Sequence, residues 1–146
     1  MKPAIRTTVL LALFAPAVWA AEALPTVKVY KTPTCGCCSN WVDHMKASGF
    51  KVVTQDMNDV TPHKQRLGVP PAMGSCHTAE VAGYLIEGHV PAADVKRLLV
   101  ERPKARGLAV PGMPIGSPGM EMDGRRDRYD TLLVRRDGTT EVFARH

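Results

Sequence analysis

Three cysteines in four residues, Cys35-Gly36-Cys37-Cys38, are the densest reactive chemistry in this chain. They follow the alternating run Val27-Lys28-Val29-Tyr30-Lys31 and a Thr32-Pro33-Thr34 turn, where a strand hands over to a helix. Unpaired N–H groups and the positive end of the helix dipole at such a start stabilise thiolates. Cys35 and Cys38, three apart, share one face of the first turn. That spacing serves a reversible disulfide or two ligands to one metal. Cys37 points elsewhere on the turn and is the discriminating residue. A dithiol exchange enzyme needs two cysteines, and an adjacent third invites trapped bonds. A polynuclear thiolate site gains from several sulfurs that bridge metals, and soft sulfur ligands favour Cu(I), whereas zinc needs one tetrahedral set.

The fourth cysteine, Cys76, completes four thiolates if its loop reaches the start of that helix. In an α/β sheet, strand C-terminal ends and helix N-termini gather at one edge, which makes the approach reasonable. A Cys35–Cys38 bond closes a very small loop and stabilises little, so the cluster is not an ordinary structural staple. His77 adds a candidate imidazole ligand beside Cys76. Met113, Met120 and Met122 lie in a Gly/Pro-rich stretch with no helical stripe, and their thioethers suit copper as well as they suit packing. His44 and His63 read as surface residues, and His89 as the end of a strand.

The elements that must position these groups follow from periodicity. Cys38, Trp41, Val42 and Met45 recur at helical spacing, Gly49 closes that helix, and residues 50–54 form a second strand. The result is a β-α-β unit with parallel strands. Thr61–Leu67 predicts a short helix, capped by Thr61 with Pro62 at its first position. Tyr84–Glu87 predicts a strand between glycines, and residues 91–101 a helix with Val95, Leu98 and Leu99 inward. Residues 107–122 read as an ordered loop, and the segments around Arg135-Arg136-Asp137-Gly138 as a terminal hairpin. No repeat and no second domain are visible.

Lys2, Arg6, the apolar run from Val9 to Val18, and Val18-Trp19-Ala20 before Ala21 predict a cleaved export signal over residues 1–20. The run is too short to span a bilayer comfortably, which leaves residues 21–146 as one domain with no membrane segment after cleavage. The formal charge of +5 falls to about +3 without Lys2 and Arg6. The basic residues are scattered or interrupted by acids and lack an aromatic platform, which argues against nucleic acid as a partner.

The motifs Val29-Tyr30-Lys31-Thr32-Pro33-Thr34-Cys35-Gly36-Cys37-Cys38, Met73-Gly74-Ser75-Cys76-His77-Thr78, Gly83-Tyr84-Leu85-Ile86-Glu87-Gly88-His89 and the stretch from Gly107 through Met113 to Met120 occur in that order. Together they resemble the CopG-type periplasmic copper-resistance proteins, over nearly all of residues 21–146. The resemblance implies an α/β, thioredoxin-like domain, a central mixed sheet flanked by helices. It also implies a copper–thiolate cluster on the cysteines and a role in copper tolerance in Gram-negative bacteria. The DNA-binding repressor that shares the name CopG is unrelated.

Two functions are therefore expected, beside the plainer reading of a disulfide-stapled binding module with no chemistry of its own. In the first, Cys35, Cys37, Cys38 and Cys76 hold Cu(I), with redox activity toward copper and exchange with a periplasmic copper- or electron-transfer protein. In the second, the chain is a thiol–disulfide oxidoreductase with Cys35 as nucleophile and Cys38 as resolving thiol, with Pro70 or Pro111 supplying a cis-proline beside them.

Overall fold

A computed structural model describes residues 23–146; the expected export signal, residues 1–20, lies outside the described residues. The chain runs β1 (Val27–Lys31), α1 (Gly36–Ala47), β2 (Val52–Asp56), α2 (Thr61–Leu67), a 3₁₀ turn (Pro71–Met73), β3 (Thr78–Val81), β4 (Tyr84–Glu87), α3 (Ala92–Glu101), β5 (Ala105–Ala109), β6 (Asp130–Arg135) and β7 (Thr140–Arg145). The strands form one mixed sheet in the order β2-β1-β3-β4-β5-β6-β7. β1 pairs with β2, and β4 with β5, in parallel across the crossover helices α1 and α3; the other pairings are antiparallel. This is the expected thioredoxin-like α/β architecture, extended by a three-strand C-terminal wing. Among the described residues no helix is long and apolar enough to cross a membrane.

Strand alternation gives the sheet two unlike faces. Val27 and Val29 of β1, Ala79 and Val81 of β3, Ile86 of β4 and Leu108 of β5 are buried in one core with Trp41, Val42 and Met45 of α1 and Val95 and Leu98 of α3. The α1 stripe is therefore the one its helical spacing predicts. The opposite face carries Tyr30, Thr78, Glu80 and Glu87, which the register places in neighbouring positions. Over that face lies α2, which buries no side chain of its own. It is held by polar contacts: Lys64 to Thr78 and Glu87, and Arg66 to Tyr30 and Glu80.

The structure corrects several expectations. β3 was not foreseen, and β5 occupies the start of the stretch read as loop. Thr61 is the first residue of α2 rather than its cap, since Val60 precedes it in the capping position. His44 is not a free surface residue: its Nε2 accepts the Ala92 N–H at the start of α3, 3.1 Å away, and burial lowers its pKa toward the neutral acceptor form. His63 stacks on Tyr30 at 3.9 Å. No cis peptide bond occurs among the described residues, so neither Pro70 nor Pro111 supplies one.

β5 escapes a periodicity reading because Gly107 interrupts it, yet that glycine is what lets it pair. A Cβ there would collide with the backbone carbonyl of Leu85 on β4. The register of β5 against β6 also shifts between Ala105 and Gly107. Gly107→Ala should therefore cost about 3 kcal/mol by forcing two central strands apart. Thermal unfolding of the purified variant measures this, and an unchanged midpoint would show that the sheet yields there without cost.

Candidate metal centre

Cys35 occupies the N-cap of α1 in an extended conformation, and its carbonyl accepts the Ser39 N–H at 3.2 Å. One turn into the helix Cys38 is fully buried, and a disulfide joins it to Cys35. Cys37 and Cys76 are free thiols, both half-buried. The Cys37 Sγ lies 3.5 Å from that of Cys35 and 3.9 Å from that of Cys76. All four sulfurs fall within 4.8 Å of one another. The expected convergence of the distal cysteine on the helix start is thus present.

A second group overlaps the first at one atom. Cys76, His77 and His89 also bring one ligand atom each within 4.8 Å of the others. The Cys76 Sγ is 3.1 Å from Nε2 of His89 and 3.4 Å from Nδ1 of His77. Nδ1 of His89 lies 2.8 Å from the Pro118 carbonyl, which can only accept, so Nδ1 carries the proton and Nε2 turns its lone pair to the thiol. Nε2 of His77 is buried without a hydrogen-bond partner. An orphaned buried nitrogen is costly unless a ligand or a proton answers it.

Burial sets the protonation of this cluster. It lowers the pKa of His89 and, reinforced by the neighbouring His89 ring and the Lys64 ammonium, holds that of His77 well below the usual histidine value. Both imidazoles are therefore neutral at pH 7, the form that ligates metals. Burial and the adjoining Cys37 push the Cys76 thiol up to about 12. In the metal-free protein it remains a thiol that donates to His89, and a metal bound there must displace that proton. Once the Cys35–Cys38 disulfide is reduced, four thiols and two neutral imidazoles form a soft donor set, which fits copper.

Three structural devices hold the donors. The indole of Trp41 packs on His77 with ring centroids 4.6 Å apart, and its N–H is fixed by the Val90 carbonyl at 2.9 Å. The Gly/Pro-rich loop lies on the first turns of α1 at Gly119, where a Cβ would come within 2.7 Å of both the Cys37 carbonyl and the Trp41 nitrogen. It is this contact that brings Pro118 to His89. Glu87, fully buried, accepts from Ser75 N at 2.7 Å and Thr78 Oγ1 at 2.6 Å while pairing with Lys64. Burial raises its pKa, and Lys64 opposes the rise.

Of the residues singled out in sequence, Cys35, Cys37, Cys38, Cys76 and His77 meet at one place. Met113 is about half exposed, and Met120 follows Gly119 at the helix start; the contacts above involve neither thioether. His89, Glu87 and Trp41 were missed as parts of the site. For His89 a signal existed. Val81-Ala82-Gly83-Tyr84 is a two-residue hairpin turn with φ of 47° and 83° at its centre, as a type I′ turn requires. The register that pairs Thr78 with Glu87, carried two residues further, sets Cys76 opposite His89.

A family described as "Protein of unknown function, DUF411" matches residues 73–120, which hold Cys76, both buried histidines and the Gly119 loop. No curated protein matches the chain. Two solved structures of the copper resistance protein CopG, forms 1 and 2, are each 47% identical to it. Form 1 covers 84% of this chain and 98% of its own, with a TM-score of 0.80; form 2 covers 86% and 99%, with a TM-score of 0.81. With that identity over more than four-fifths of this chain and almost all of the solved ones, and a cysteine cluster able to hold a metal, the chain belongs to the CopG family of copper resistance proteins.

Proposed function

We propose that this protein is a periplasmic Cu(I)-binding protein for copper resistance, with copper as its cargo and Cys35, Cys37, Cys38 and Cys76 as its sulfur ligands. The observation that carries the reading is the group of four sulfurs within 4.8 Å, joined through Cys76 to two buried imidazoles. So many soft donors around one point suit a polynuclear site in which thiolates bridge ions. His77 and His89 supply nitrogen ligands at the closed end of the cluster. Met113 and Met120, in the loop that packs on α1 at Gly119, are further candidate sulfur donors of this reading, and copper exchanges with a periplasmic transfer or electron-transfer protein. Residues 1–20 act as the export signal and residues 21–146 as the copper-binding domain; the protein recovered from the periplasm should begin at Ala21.

The cysteines also store electrons. Oxidation of the Cys35–Cys38 dithiol to its disulfide releases two electrons and two protons, enough to reduce two Cu(II) to Cu(I). The oxidised chain keeps two thiols, Cys37 and Cys76, and the reduced chain has four. Reduced protein without residues 1–20, loaded anaerobically with Cu(I), should hold more than one tightly bound copper per chain. The disulfide form should hold fewer and recover on reduction, and a variant with all four cysteines replaced by serine should hold none. Metal analysis after desalting measures all three, and equal copper in the reduced protein and the serine variant would end this reading.

The disulfide at the α1 N-terminus favours a second reading, a thiol–disulfide oxidoreductase with Cys35 as nucleophile and Cys38 as resolving thiol. That activity should vanish in Cys35→Ser; disulfide turnover at the full rate in this variant would exclude it.

A further inference from the structure

The segment Ser75-Cys76-His77-Thr78 is gripped by three consecutive residues at the end of β4. Glu87 holds both flanks of the Cys76-His77 pair, taking the Ser75 backbone N–H on one carboxylate oxygen at 2.7 Å and the Thr78 hydroxyl on the other at 2.6 Å. Gly88 makes room: a Cβ there would lie 2.6 Å from the Val110 carbonyl and 2.7 Å from the Ser75 side chain. Its own N–H donates to the His77 carbonyl at 3.2 Å. His89 then reaches the Cys76 sulfur. The carboxylate is answered from the opposite layer by Lys64 of α2, whose ammonium also donates to Thr78 Oγ1 at 2.8 Å. A fully buried carboxylate paired with a mostly buried ammonium is a poor device for stability alone, because apolar residues of the same volume usually do as well. What the pair adds is a fixed position for the segment between its two anchors.

We propose that Glu87, backed by Lys64, is the positioning residue of the centre: it fixes the Cys76 thiol against Cys37 and His89 and so sets how tightly copper is held. The inference rests on the copper-binding reading. Glu87 touches no ligand atom; it acts through the backbone and side-chain anchors on either side of Cys76. It also links α2, which buries nothing of its own, to the metal centre.

The test uses Glu87→Ala, Glu87→Gln and Thr78→Val in the reduced, copper-free protein, with site-resolved alkylation by iodoacetamide as the first measurement. Glu87→Ala should speed alkylation of Cys76 about tenfold by freeing its segment, and leave Cys37 unchanged. Glu87→Gln keeps an oxygen for Ser75 and should stay within about threefold of the parent protein. The second measurement is Cu(I) affinity by competition with a chelator. The loss in Glu87→Ala, about tenfold, should disappear when Cys76 is already serine, because the two changes act through one thiol. Equal acceleration at Cys37 and Cys76, or the same affinity loss in both backgrounds, would reduce Glu87 to general stability and overturn the proposal. If Cys76→Ser alone leaves Cu(I) affinity intact while Cys76 alkylation still rises alone, positioning stands and the copper role of Cys76 fails. Should Glu87→Ala not fold, Thr78→Val, which removes one anchor and leaves Glu87 paired with Lys64, carries the same comparisons.

Discussion

The register of the β3–β4 hairpin is the constraint on which the centre depends. Its turn has two residues, Ala82 and Gly83, both at positive φ, so the strands have no slack through which to slide. A slip of one residue would turn every side chain of a strand to the opposite face. Glu87 would then leave the α2 side and its Lys64 partner, and Cys76 would lose its place opposite His89. The hydrophobic pattern enforces the same register, since Ala79, Val81 and Ile86 must stay in the core. Core packing and the placement of Cys76 against His89 are thus decided by one choice of strand pairing.

Against that fixed hairpin the remaining donors arrive from two other directions. α1 brings three cysteines on its first turn, and its buried stripe of Cys38, Trp41, Val42 and Met45 locks the helix rotation. The Gly119 loop closes over the helix start and delivers the Pro118 carbonyl that orients His89. Burying two imidazoles and partly burying a thiol disfavours their charged forms, and burial is the largest cause of the pKa directions of His77, His89 and Cys76, with Cys37 adding to that of Cys76 and Lys64 to that of His77. The cluster is consequently neutral and unsatisfied at His77 Nε2. That is a poor arrangement for stability and a suitable one for receiving a soft cation.

The parts legible in sequence were those whose signal is local. The β1-α1-β2 unit, α2, α3 and the terminal hairpin each carry their own periodicity and punctuation, and Cys35, Cys37, Cys38 and Cys76 announce themselves by type and spacing. β3 and β5 were illegible because their evidence is pairing. Thr78-Ala79-Glu80-Val81 is four residues long with a buried polar residue at its start, and β5 has a glycine at the point where it crowds Leu85. Glu87 resembled any strand-terminal acid until the register brought Thr78, Ser75 and Lys64 to it. His89 was undervalued for the same reason, although the two-residue turn, if recognised, would have placed it across from Cys76.

Cys37 stands beside both the Cys35–Cys38 pair and Cys76. Its sulfur sits 3.5 Å from the pair and 3.9 Å from Cys76, so it touches both. Formation of the Cys35–Cys38 bond gives up two electrons and ties up two of the four sulfurs, leaving the thiols of Cys37 and Cys76. A third cysteine would be a hazard in a simple exchange enzyme. In this arrangement it lies between the Cys35–Cys38 disulfide and the thiol that meets the buried imidazole pair.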